Sequence, residues 1–104
     1  MTVEVLYFAG CPSHEALLSR LRQLVSEAGL AATEVHLRLV NDLDGAERER
    51  CLGSPTVRID GEDVDPTASE RTDYGLKCRL YRSNGEVSGT PPDEWIRSAL
   101  EGRA

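Results

Sequence analysis

Five of the six residues from Val3 to Phe8 are apolar, and only Glu4 interrupts the run. A segment apolar on both faces predicts a central strand covered from both sides. Ala9-Gly10 ends it, and Cys11-Pro12-Ser13-His14-Glu15 opens a helix. Pro12 suits the first helical position, where no N–H is needed, and Glu15 faces the positive end of the helix dipole. Leu17, Leu18, Leu21, Leu24, Val25 and Ala28 then recur at helical spacing as one apolar stripe, and Gly29 supplies the stop.

The pattern next switches to alternation. Residues 33–40 predict a second strand, with Val35, Leu37 and Leu39 on one face and His36 and Arg38 on the other. Asp44 followed by Glu47 resembles a capping box and predicts a short helix over 45–52. Gly53-Ser54-Pro55-Thr56 is punctuation before a third strand at 57–60. Asp60-Gly61 predicts a hairpin, with a return strand near 62–64. Residues 65–77 are polar and turn-rich and predict one long loop. Cys78-Arg79-Leu80-Tyr81 is β-prone, and Ser83-Asn84-Gly85 is a turn. Thr90-Pro91-Pro92-Asp93 caps a last helix with Trp95, Ile96, Ala99 and Leu100 inward and Gly102 at its end. The predicted order is βαβα, then a hairpin, then a helix: an α/β fold in a single domain over residues 1–104. The βαβ crossover is expected to be right-handed.

Composition narrows the function classes. The chain has 104 residues, 39% hydrophobic and 29% charged, with a formal net charge of −6. An acidic balance argues against nucleic acid or an anionic membrane as partner, since both need a positive field. No apolar run reaches the ~18–20 residues of a membrane span, and Met-Thr-Val-Glu-Val lacks the basic start of a secretory signal. Cysteines at 11, 51 and 78 are odd in number and widely spaced, a poor disulfide framework. The expected compartment is a reducing cytoplasm, where a thiol is catalytic, metal-binding or buried.

Cys11 carries the strongest chemical signal. It follows a buried strand and precedes the longest helix, where unpaired N–H groups and the dipole favour a thiolate. His14 lies one turn on and could stabilise that thiolate, move a proton, or share a metal with the sulfur. The plainer alternative is a small cap residue followed by a solvated histidine. Position favours function, because ligands collect at the carboxyl ends of strands in α/β sheets.

Together, Val3–Phe8, Cys11-Pro12-Ser13-His14, Gly53-Ser54-Pro55-Thr56 before a strand, and Cys78-Arg79-Leu80-Tyr81 resemble the thioredoxin superfamily. The resemblance runs along nearly the whole chain. It is nearest to small bacterial proteins labelled thioredoxin-family or alkylmercury-lyase-like. It implies a thioredoxin-like three-layer fold around a central mixed four-stranded sheet. It also implies that Pro55 is cis and packs beside Cys11. The backbone of Ser54 would then be exposed for a substrate to add as a strand, making Pro12, Ser54, Pro55 and Thr56 the substrate-binding residues. His14 stands where a thioredoxin has its second cysteine, so no local 11–14 disulfide can form. Cys11 then needs an external thiol or a distant cysteine.

Cys78 is the better distant candidate. The hairpin returns the chain toward the active end, and the charges of Lys77 and Arg79 would favour a thiolate between them; the alternative is a core-facing strand cysteine. Cys51 reads as packing, with a redox role in reserve because it precedes Pro55 by four residues. His36 reads as a sheet-face residue. Asp60, Glu62, Asp63 and Asp65 read as a solvated turn, with Asp65 a conceivable proton donor. Three functions are expected in order. The first is thiol–disulfide exchange at Cys11, without a cofactor, with a low-molecular-weight thiol or a protein disulfide as partner. The second is soft-metal handling of mercury, zinc or copper by Cys11, His14 and Cys78, extending to an organomercurial lyase with Asp65 as acid. The third is a non-catalytic binding module on the same scaffold.

Overall fold

The computed structural model describes residues 2–9, 13–30 and 35–102. Cys11, Pro12 and the side chain of His14 lie outside the described residues. The elements run β1 (Val3–Tyr7), α1 (Ser13–Glu27), β2 (Val35–Leu39), α2 (Leu43–Arg48), β3 (Thr56–Ile59), β4 (Glu62–Asp63), β5 (Tyr81–Ser83), β6 (Glu86–Ser88) and α3 (Asp93–Gly102). A mixed four-stranded sheet, ordered β2-β1-β3-β4, forms the centre. β1 is parallel to β2 and antiparallel to β3, and β4 returns antiparallel to β3. No helix among the described residues is long and apolar enough to cross a membrane.

The apolar run of β1 is the reason it lies inside the sheet. Val3 and Val5 join Val57 and Ile59 on one face, under Leu17, Leu21, Leu24 and Val25 of α1 and Ile96 and Leu100 of α3. Leu6 points to the opposite face and packs with Val40, Ala46 and Cys51 beside α2. Glu4, the one interruption, accepts from Arg38 at 3.0 Å, and Arg38 also reaches Glu49 at 2.7 Å. This pair of contacts ties β1, β2 and the end of α2 together. Trp95 packs at the margin of the main core and meets Tyr81 edge-on at 6.3 Å.

Several boundaries differ from the sequence expectation. α2 begins earlier, because Asp42 rather than Asp44 caps it: its carboxylate accepts from the Gly45 N–H at 2.6 Å. α2 also stops earlier, at Arg48, because Arg50 adopts positive φ and Cys51 N–H turns back to the Ala46 carbonyl at 2.8 Å. Arg58 from β3 donates to the carbonyls of Glu49 and Arg50, which satisfies the end of this helix. Leu37 and Leu39 share a face with Val3 and Val5, yet both are exposed, since β2 is an edge strand and lies at the rim of the helical cover. Asn84-Gly85 is more than a turn: it joins β5 and β6 into a separate two-stranded sheet.

The capping geometry makes a specific prediction. Asp42→Ala should lower unfolding free energy by about 0.5–2 kcal/mol, whereas Asp44→Ala should cost well under that. Chemical denaturation of the two variants checks it, and equal losses would count against Asp42 as the cap.

Candidate functional site

The tetrapeptide Gly53-Ser54-Pro55-Thr56 links α2 to β3, and every residue of it is buried. The Ser54–Pro55 peptide is cis, as the sequence resemblance implied. Gly53 has φ +133, and a Cβ there would lie 2.9 Å from the Lys77 carbonyl and 3.0 Å from Cβ of Arg79. Only glycine admits this approach, so residues 77–79 can lie directly on the loop. Ser54 N–H donates to the Lys77 carbonyl at 2.8 Å, and Arg79 N–H donates to the Ser54 carbonyl at 2.9 Å. Ser54 and Cys78 are therefore partners in a short parallel bridge.

This arrangement corrects the expected role of Ser54. Its backbone is not open for strand addition, because residues 77–79 already use both its N–H and its carbonyl, and the residue is 1% exposed. Thr56 is equally occupied: its hydroxyl donates to the Gly53 carbonyl at 2.6 Å and accepts from Arg79 Nη1 at 3.1 Å. The Pro55 carbonyl accepts from the Tyr81 hydroxyl at 2.5 Å. Pro12 lies outside the described residues.

A buried arginine organises the junction. The Arg79 side chain is fully enclosed and donates to both oxygens of Asp63, at 2.6 and 3.1 Å, and to Asp65 at 3.3 Å. Its guanidinium carbon lies 4.5 Å from the centre of the Tyr81 ring. Burial pushes the Tyr81 hydroxyl far above the usual phenol range, so it serves as an O–H donor. Burial alone would raise the Asp65 carboxyl. The Thr67 N–H and hydroxyl and the Arg79 charge outweigh it and hold Asp65 below the ordinary carboxylate value. Asp65 is thus kept ionised, which removes it as the expected proton donor. Asp63 and Asp65 are structural counter-ions, not a solvated turn.

The two described cysteines differ in environment. Cys51 is fully buried, with its Sγ donating to the Gly53 carbonyl at 3.4 Å, and it packs with Leu6, Val40 and Ala46. It is a core residue. Cys78 is exposed, which rules out the core-facing alternative. Its flanking charges do not belong to it alone: Arg79 is committed to Asp63 and Asp65, and Lys77 pairs with Asp73 at 2.8 Å. The end of β1 reaches the same place, since Phe8 N–H donates to Ser54 Oγ at 3.3 Å. Cys11, three residues further along the sequence, lies outside the described residues. His36 is exposed on β2. Among the described residues, no group of three or more His, Cys, Asp or Glu is placed to hold a metal ion.

Arg79 and Tyr81 are the site residues that hydropathy conceals. Their spacing of two puts both on one strand face, but an apolar reading turns Leu80 inward instead. Leu80 is 56% exposed. Compared with known proteins, the chain matches no family model, no curated protein and no solved structure.

Two consequences follow for stability. Arg79→Met should cost about 3–5 kcal/mol, because it leaves buried carboxylates without their cation; urea denaturation measures it. The folded-state pKa of Asp65 lies below its unfolded value of about 3.9. Its contribution is complete above the unfolded value and is lost as pH falls through the lower folded one. Asp65→Asn should therefore be less stable than the parent at neutral pH and should lose less stability on acidification. Parallel losses for both proteins would contradict this.

Proposed function

We propose that the chain is a thioredoxin-like thiol protein that exchanges disulfides through Cys11, with Cys78 as its internal partner. One observation carries the reading. The parallel bridge seats the exposed Cys78 beside Ser54, at the place reached by Phe8, just after β1 and three residues before Cys11. The strand order β2-β1-β3-β4, with β1 parallel to β2 and antiparallel to β3, suits a thioredoxin-like scaffold, as does a cis peptide just ahead of β3.

In this reading the Cys11 thiolate attacks one sulfur of a disulfide. The disulfide breaks, one half leaves as a thiolate, and the other half stays on Cys11 as a mixed disulfide. The Cys78 thiolate then attacks the Cys11 sulfur and releases the second half, leaving an 11–78 disulfide. A low-molecular-weight thiol returns both cysteines to the reduced state. His14 tunes the charge on Cys11. A reducing compartment such as the cytoplasm would keep the pair available between turnovers.

Mild oxidation of the wild type should produce an 11–78 bridge, seen by peptide mapping as a mass loss of two hydrogens. Cys11→Ser should abolish exchange with a small disulfide, and Cys78→Ser should accumulate the mixed disulfide on Cys11. A Cys11→Ser protein that exchanges at the wild-type rate, or an oxidised wild type with no such bridge, would overturn the reading.

A further inference from the structure

Cys78 does not stand on an open surface. It lines a groove of roughly 590 Å3 together with Arg71, Lys77, Arg79, Arg82 and Trp95. Four of its lining residues are cationic and one, Asp65, is anionic, in a chain whose formal charge is −6. Arg71 and Lys77 converge on Asp73 just outside it, and Arg79 is held by Asp63 and Asp65. The Arg82 guanidinium makes no ion pair among the described residues. Arg79 adds a second feature: its side chain is fully enclosed, and its buried Nε has no hydrogen-bond partner among the described residues. The groove thus offers a thiol, an unpaired guanidinium and an aromatic ring, and the enclosed Arg79 beside it keeps one unpartnered N–H among the described residues.

The backbone at Ser54 is closed to one mode of binding. A peptide substrate pairs with its host by adding a strand, and the edge at Ser54 is already filled by residues 77–79. A partner that reacts with Cys78 meets the groove and its lining side chains. The volume of the groove suits a small molecule, and the lining cations favour a negative one.

We propose that the Cys78 groove is a site for a small, carboxylate-bearing disulfide, which it takes up as a mixed disulfide on Cys78. The Cys78 thiol gives its proton to solvent and the thiolate attacks one sulfur. The S–S bond of the small disulfide breaks, one half leaves as a thiolate, and the other half remains bonded to Cys78. Carboxylates of the bound half lie against Arg71 and Arg82, and its body lies toward Trp95. This goes beyond the exchange reading, in which the mixed disulfide forms on Cys11, and it is tested in a protein that lacks Cys11.

The experiment uses the full chain carrying Cys11→Ser, in which Cys51 is buried and Cys78 is the reporting thiol. It compares glutathione disulfide, which is anionic, with neutral bis(2-hydroxyethyl) disulfide and cationic cystamine. Each rate is divided by the rate of the same reagent with N-acetylcysteinamide, and the adduct is located by intact mass and peptide mapping. At low ionic strength the anionic reagent should modify Cys78 about tenfold faster than the cationic one on this relative scale. The preference should shrink in ~1 M salt, where charges are screened beyond about 3 Å. It should also shrink in Arg71→Gln/Arg82→Gln, two changes at positions that are not part of the core. Equal relative rates, faster reaction of cystamine, or an unmodified Cys78 would each overturn the proposal. If the anion preference holds while the wild type forms no 11–78 bridge, the exchange cycle through Cys11 fails alone. If the bridge forms without any anion preference, the groove proposal fails alone.

Discussion

A single buried guanidinium constrains the end of this molecule where Ser54 and Cys78 meet. Taking an arginine out of water costs several kcal/mol unless its donors are met by charged or polar acceptors in good geometry. Among the described residues, Arg79 satisfies both of its terminal nitrogens with Asp63 and Asp65 from the end of the β3–β4 hairpin and Thr56 at the start of β3, and leaves Nε unpartnered. These groups come from separate stretches of chain, so the pairing holds the hairpin end, the loop at Ser54 and the segment after Lys77 in one arrangement. Gly53 is part of the same constraint, since a side chain there would push the 77–79 segment away.

The direction of Cys78 follows from this. Neighbouring side chains on an extended segment point to opposite faces. With Arg79 inward, Cys78 and Leu80 must face outward, and both are exposed. The burial of a charge thus determines the accessibility of a thiol one residue away. Cys51 shows the opposite case: four residues before Pro55, it faces Leu6, Val40 and Ala46, and its sulfur is satisfied by the Gly53 carbonyl. Two cysteines near the same loop therefore differ in exposure because of the side on which each packs.

The same register closes the edge at Ser54. A loop whose backbone is free can accept many extended peptides, because main-chain hydrogen bonds do not depend on side-chain identity. Here those hydrogen bonds are internal. In the groove proposed beside Cys78, recognition rests on side chains, with the lining cations foremost.

Hydropathy alone was enough for β1, α1, α3 and the Asp60-Gly61 hairpin, because each carries a long period or a turn signal that only one local structure satisfies. The cis peptide at Pro55 and the interest of residues 53–56 were legible through their resemblance to a known pattern. The start of α2 was less so: Asp42 and Asp44 are both good caps, and their choice depends on where β2 releases the chain. β5 and β6 are three residues each, too short to show a period. The inward turn of Arg79 could not be read at all. In sequence it is a charged residue beside a leucine, and hydropathy sends the leucine in. Its counter-ions lie 14 and 16 residues away and reach it only after the hairpin has formed. The local code determined the strands, the main helices and the reactive residue types; the tertiary structure decided which charge is buried, and through it which thiol meets solvent, because that choice is an energy shared by segments far apart in the chain.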